Sequence, residues 1–190
     1  MYELNRLAMR TGDVIAFSGK GRVSEVIKTY TRSDISHVGI VFKNENGRVI
    51  IMESTTLLDK PDLVTGEFIK GVQQQYLSDR IKAYDGSVYW CGLTENIKIQ
   101  KQADMIKWLS DIHGKRTSYD ALGAVLAGSY ALNTFDFARD EDFSSLFCSE
   151  LVTKALQIAG VVSDKILAAS QTPQDVLNFK CIAPKVLLTI

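Results

Sequence analysis

The residues of this chain best suited to covalent chemistry are three cysteines, Cys91, Cys148 and Cys181, and two histidines, His37 and His113. A cysteine attacks as its thiolate and needs a base within reach. Cys148, Leu151, Val152, Ala155, Leu156 and Ala159 recur at helical spacing, which predicts one inward stripe on a helix over 147–159 that Gly160 stops. Cys148 is expected in the first turn, where free N–H groups and the helix dipole favour a thiolate. The same position also suits a small buried hydrophobe, the usual fate of a free cysteine. Cys91 and Cys181, in strand-like surroundings, are assigned to that class. Glu150 is expected on the opposite side of the helix, paired with Lys154 one turn on.

His113 stands just before Gly114 at the end of a helix predicted over Gln100 to His113, where its ring is expected to cap free carbonyls. His37 lies in a strand, Ser36 to Phe42, with Val38, Ile40 and Phe42 on one face and the histidine on the other. A histidine there serves equally as a satisfied polar group or as a base, and a partner would decide. The next strand, Arg48 to Ser54, follows the turn residues Asn44-Glu45-Asn46-Gly47. A three-residue loop with Gly47 in the left-handed position pairs Asn44 with Arg48. Gly39 then opposes Glu53 and His37 opposes Thr55, placing His37 and Glu53 on one face as diagonal neighbours. A loop one residue shorter or longer would turn Glu53 to the wrong side.

The elements that must hold these groups follow from pattern. Val14 to Phe17 reads as a short buried strand, and Ser24 to Thr31 as a short helix capped by Ser24. Gly19-Lys20-Gly21 lacks phosphate-loop spacing and reads as a turn. Thr55 to Gly86, with Pro61 and a run of three glutamines, reads largely as loop or lid. Ser87 to Leu93 is a strand, Asp120 to Leu132 a helix, Thr172-Pro173-Gln174-Asp175 a capped helix start, and Val186 to Ile190 a last strand. Strands gathered in the first half with helices before and after predict an α+β fold.

At 190 residues the chain suits a single domain spanning 1–190. Equal numbers of basic and acidic residues, 22 each, give no field that would draw nucleic acid or an anionic membrane. The longest uncharged run, Ala121 to Phe135, is fifteen residues, short of the ~20 that span a bilayer. The first residues show no signal-peptide core, so a cytoplasmic location is expected. The cysteines form no CxxC pair and the histidines lack ligand spacing, so neither a metal nor another cofactor is expected. Oligomeric state is not readable.

His37-Val38-Gly39-Ile40-Val41-Phe42 with its downstream Glu53, then Phe147-Cys148-Ser149-Glu150, then Gln171-Thr172-Pro173-Gln174-Asp175, resemble the circularly permuted, YiiX/YebB-like branch of the NlpC-type papain-like cysteine hydrolases. The resemblance runs from Gly12-Asp13 to Thr172-Pro173, and His37 precedes Cys148 as the permuted branch requires. It implies a permuted papain-like fold: a small antiparallel sheet or half-barrel against the helix carrying the nucleophile. It further implies Cys148 as nucleophile, His37 as base and then acid, and Glu53 as the group that orients the imidazole. Tyr119 matches a substrate-site tyrosine of non-permuted relatives and equally suits a packing role. The activity implied is hydrolysis of an amide, in a peptide of cell-wall type. Alternatives are a lipid or N-acyl hydrolase or acyltransferase, as in the lecithin:retinol acyltransferase-like branch, and a binding module without turnover. The lipid branch carries Asn-Cys-Glu-His where this chain has Phe-Cys-Ser-Glu, which favours amides. The partner expected is thus a small peptide, amide or acyl substrate.

Overall fold

The computed structural model describes residues 1–115 and 144–190; the helix expected over Asp120 to Leu132, and Tyr119, lie outside them. Six strands form one antiparallel sheet: β1 Val14–Gly19, β2 His37–Lys43, β3 Val49–Thr55, β4 Gly71–Tyr76, β5 Gly86–Cys91 and β6 Val186–Leu188, in the order β4-β3-β2-β1-β5-β6. The described helices are α1 Tyr2–Asn5, α2 Arg22–Thr31, α3 Leu77–Ala83, α4 Gln102–Gly114, α5 Ser144–Ile158 and α6 Pro173–Leu177, with a 3₁₀ turn at Ala168–Ser170. The fold is α+β, as the clustering of strands in the sequence predicted. Among the described residues no helix is long and apolar enough to cross a membrane.

Alternation along the strands divides the buried side chains between the two faces of the sheet. Val14, Ala16, Val38, Ile40 and Met52 point to the face covered by α4 and α5, where Met105, Leu109, Cys148, Leu151, Val152 and Leu156 complete the larger core. Ile15, Phe17, Val41, Ile51 and Val88 point the other way and pack with Tyr2 and Leu77, from α1 and α3. The Val, Leu, Ile, Phe and Met side chains among them each contribute about 1.5–3 kcal/mol relative to exposure.

The segment expected to be loop or lid, Thr55 to Gly86, instead supplies β4 and α3. Its glutamines are buried; Gln73 Nε2 donates to Leu57 O and Ile69 O, and Gln75 Nε2 donates to Gln73 Oε1. At α2 the helix begins at Arg22 with Gly21 as cap, two residues before the expected start at Ser24. The capping box expected at Thr172 is present: its hydroxyl accepts from Asp175 N, and the Asp175 carboxylate accepts from Thr172 N.

Candidate active site

The hairpin that carries the site folds in the expected register. Ile40 pairs with Met52, Val41 with Ile51, Phe42 with Ile50 and Lys43 with Val49. Gly47 adopts a left-handed φ of 71°, Asn44 N donates to Arg48 O, and Arg48 N donates to Asn44 Oδ1, so both ends of the turn are closed. Extending the ladder brings His37 Nε2 to 2.6 Å from Glu53 Oε2. His37 begins β2, where Ser36 N donates to Phe17 O and the Ser36 hydroxyl accepts from Gly19 N, tying the end of β1 to the start of β2.

His37 connects the two cores. Its ring lies 5.3 Å from that of Phe17, on the α3 side of the sheet, and it also hydrogen-bonds Cys148, which belongs to the core on the α5 side. Being the first residue of its strand lets it reach around the edge of the ladder. With Nε2 held by Glu53, the ring nitrogen left for the thiol is Nδ1. Cys148 is 0% exposed and Glu53 is fully buried, whereas the His37 side chain retains 12% exposure and is the member of the three that meets solvent.

Burial alone would push His37 down from its ordinary value. The charge and hydrogen bond of Cys148, followed by those of Glu53, outweigh it and raise the imidazole to about 9. For Glu53, burial pushes the carboxyl up, but the Arg80 guanidinium and then His37 hold it at about 2. Opposite charges are therefore favoured on the two ends of the His37–Glu53 contact.

Arg80, on α3, is the site residue that the sequence did not disclose. It is 1% exposed; its Nε donates to Glu53 Oε1 at 2.6 Å, and Nη2 lies 3.4 Å from Glu53 Oε2. Nη1 is 3.7 Å from Asp59 Oδ2, an ion pair beyond hydrogen-bond length. The guanidinium carbon sits 4.9 Å from the Phe17 ring and 4.9 Å from the Tyr84 ring.

Three sequence expectations near the site are corrected. Cys148 is the fifth residue of α5, not part of its first turn, because the helix starts at Ser144. Its amide is thus not one of the free N–H groups at a helix start, and the activating effect of the dipole is weaker there. His113 does not cap α4: its Nε2 meets Asp62 Oδ2 at 2.9 Å, pinning the end of the helix to the β3–β4 connection. Glu150 makes no ion pair with Lys154; it is buried, its Oε1 has no hydrogen-bond partner among the described residues, and burial pushes its carboxyl up to about 7.

No family model matches the chain, and no curated protein matches it. Among solved structures it is similar to the metalloprotein YiiX of Escherichia coli O157:H7, with 17% identity and a TM-score of 0.56, over 94% of this chain and 96% of that one. The chain has a YiiX-like fold.

Proposed function

We propose that this protein is a cysteine hydrolase of the permuted papain-like type that cleaves an amide bond, with Cys148 as nucleophile, His37 as base and then acid, and Glu53 as orienting residue. The observation that carries the reading is the continuous contact from Cys148 through His37 to Glu53, in which each heteroatom has a partner suited to its role. The YiiX-like fold is compatible with it. His37 takes the proton of the Cys148 thiol, and the thiolate sulfur bonds to the carbonyl carbon of the substrate. The imidazolium then protonates the amine nitrogen as the C–N bond breaks, leaving a thioester. Water, deprotonated by His37, attacks that thioester; the acid departs and the sulfur leaves as thiolate, which recovers the proton. Glu53 stays ionised and holds the imidazolium throughout.

YiiX is described as a metalloprotein. Among the described residues of this chain no group of three or more His, Cys, Asp or Glu converges as metal ligands would.

One observation favours an acyl substrate as a second reading. At the His37 end of the sheet, the exposed Val26 and Tyr30 of α2 and the exposed Leu57, Leu58, Val64 and Phe68 of the β3–β4 connection present apolar surface. Release of fatty acid from an acylated glycerol, with murein peptides left intact, would select the acyl reading; cleavage of the peptides alone would select the amide.

The chemistry itself is tested by the pH dependence of iodoacetamide alkylation at each cysteine, read by peptide mass spectrometry in the wild type and in His37→Ala. The expected result is alkylation of Cys148 faster than that of Cys91 and Cys181 at neutral pH, an advantage lost in His37→Ala. Equal behaviour of Cys148 in the two proteins would overturn the assignment of His37 as its base.

A further inference from the structure

The geometry points to Arg80 as a positioning residue of the site, one that fixes the Glu53 carboxylate in place and in charge so that it steers His37 without competing for its proton. This inference rests on the hydrolase reading of Cys148, His37 and Glu53.

A fully buried carboxylate beside one imidazole is unfavourable unless its remaining lone pairs are satisfied, and a buried guanidinium is equally unfavourable without an anion. Arg80 and Glu53 meet both needs through two contacts that use both carboxylate oxygens, Nε to Oε1 and Nη2 to Oε2. The short contact takes Oε1, and Oε2 is turned to His37 Nε2. The fork therefore selects which oxygen faces the imidazole and at what angle. A lysine ammonium, as a point charge on a flexible stem, would not fix both.

The guanidinium is itself held. Phe17 and Tyr84 flank it, their rings 4.9 Å apart, and the Phe17 ring also touches that of His37. One ring thus packs against both the cation and the base, coupling their positions.

The groups facing Glu53 are His37 and Arg80; those facing Arg80 are Glu53, Asp59 and the phenol of Tyr84. With Glu53 and Arg80 forming a neutral pair, the remaining proton is shared between Cys148 and His37 alone. Remove the cation, and the largest influence opposing the desolvation of Glu53 is lost, which shifts its carboxyl toward the neutral form. A neutral Glu53 no longer supports an imidazolium, so the thiolate form of Cys148 becomes harder to reach.

The experiment is the pH profile of Cys148 alkylation in Arg80→Gln and Arg80→Lys, with His113→Gln as a control that breaks the other buried His–carboxylate pair. In Arg80→Gln the midpoint of the profile is expected to move up by at least one pH unit, with a tenfold or greater loss of rate at neutral pH. Arg80→Lys is expected to move it in the same direction by less, and His113→Gln to leave it in place while lowering thermal stability. A role in stability alone would lower melting temperature in all three and leave every profile unmoved, which overturns the proposal. If Arg80→Gln does not fold, Arg80→Lys decides on the same criterion, because it keeps the buried cation and loses the fork. Failure of the hydrolase reading shows separately: wild-type Cys148 would then show no early reactivity for Arg80 to modulate.

Discussion

Gly39 and Glu53 face one another across the β2–β3 ladder so closely that a Cβ at position 39 would stand 3.2 Å from the Glu53 Cβ and 2.6 Å from Ile51 Cδ1. The glycine is what lets the carboxylate lie flat along the sheet toward His37. Gly39→Ala is expected to cost about 1–3 kcal/mol through overpacking and to slow Cys148 alkylation by displacing Glu53. Urea unfolding and the alkylation rate check the two parts; a variant with wild-type values in both would refute the crowding argument.

The two ends of the His37–Glu53 contact bring opposite pH dependences. His37 is raised to about 9 in the folded protein, so its contribution to stability is complete below its ordinary value near 6.5 and disappears as pH climbs through 9. Glu53 is lowered to about 2, so its contribution is complete above about 4.5 and disappears as pH falls through 2. Urea midpoints between pH 6 and 10 should decline more steeply in the wild type than in His37→Gln. Between pH 4.5 and 2 the same contrast is expected against Glu53→Gln. Parallel curves in either range would contradict the corresponding shift.

Native labelling should separate the cysteines. Burial pushes the Cys91 thiol up to about 12 and raises Cys181 as well, so neither is expected to react with iodoacetamide at pH 7–8 until the protein is unfolded in urea. Peptide mass spectrometry after brief labelling reads this directly. Labelling of Cys91 at a rate comparable to Cys148 would show that the buried state described for it is not maintained.

Asp62 gathers four donors: Val64 N and Thr65 N on Oδ1, and Gln74 N and His113 Nε2 on Oδ2. Asp62→Ala is expected to cost about 2–4 kcal/mol, since it leaves buried donors without an acceptor. The pH midpoint of Cys148 alkylation should stay where it is, because Asp62 touches neither His37 nor Glu53. A shift in that midpoint would mean that the β3–β4 connection sets the site's electrostatics as well as its support.

The hairpin was legible because its turn chemistry and its alternation agree: the three-residue loop over Glu45-Asn46-Gly47, with Gly47 left-handed, puts His37 and Glu53 on one face. The stripe from Cys148 to Ala159 was legible for the same reason, since a helical period survives wherever the helix begins. The start of α5 was not, because the apolar stripe that marks the helix in the sequence first appears at Cys148, a full turn after Ser144. Nor was β4, where Gln73, Gln74 and Gln75 are buried polar residues that leave no hydrophobic pattern. Missing β4 concealed α3 behind it, and with α3 the arginine: nothing local marks Arg80, whose partner lies 27 positions away on β3. His113 was misread for a related reason, its partner being 51 residues distant.

The turn at Gly47 acts as a parity bit for the whole site. Successive side chains of a strand alternate between the two faces, so a slip of one residue in the β2–β3 pairing would send Glu53 into the core beneath α5 and bring Met52 or Ser54 to face Arg80. A slip of two residues would preserve the face but carry Glu53 two positions along the ladder. The closure of Asn44 against Arg48 therefore sets both the side of the sheet on which the carboxylate lies and its place beside His37.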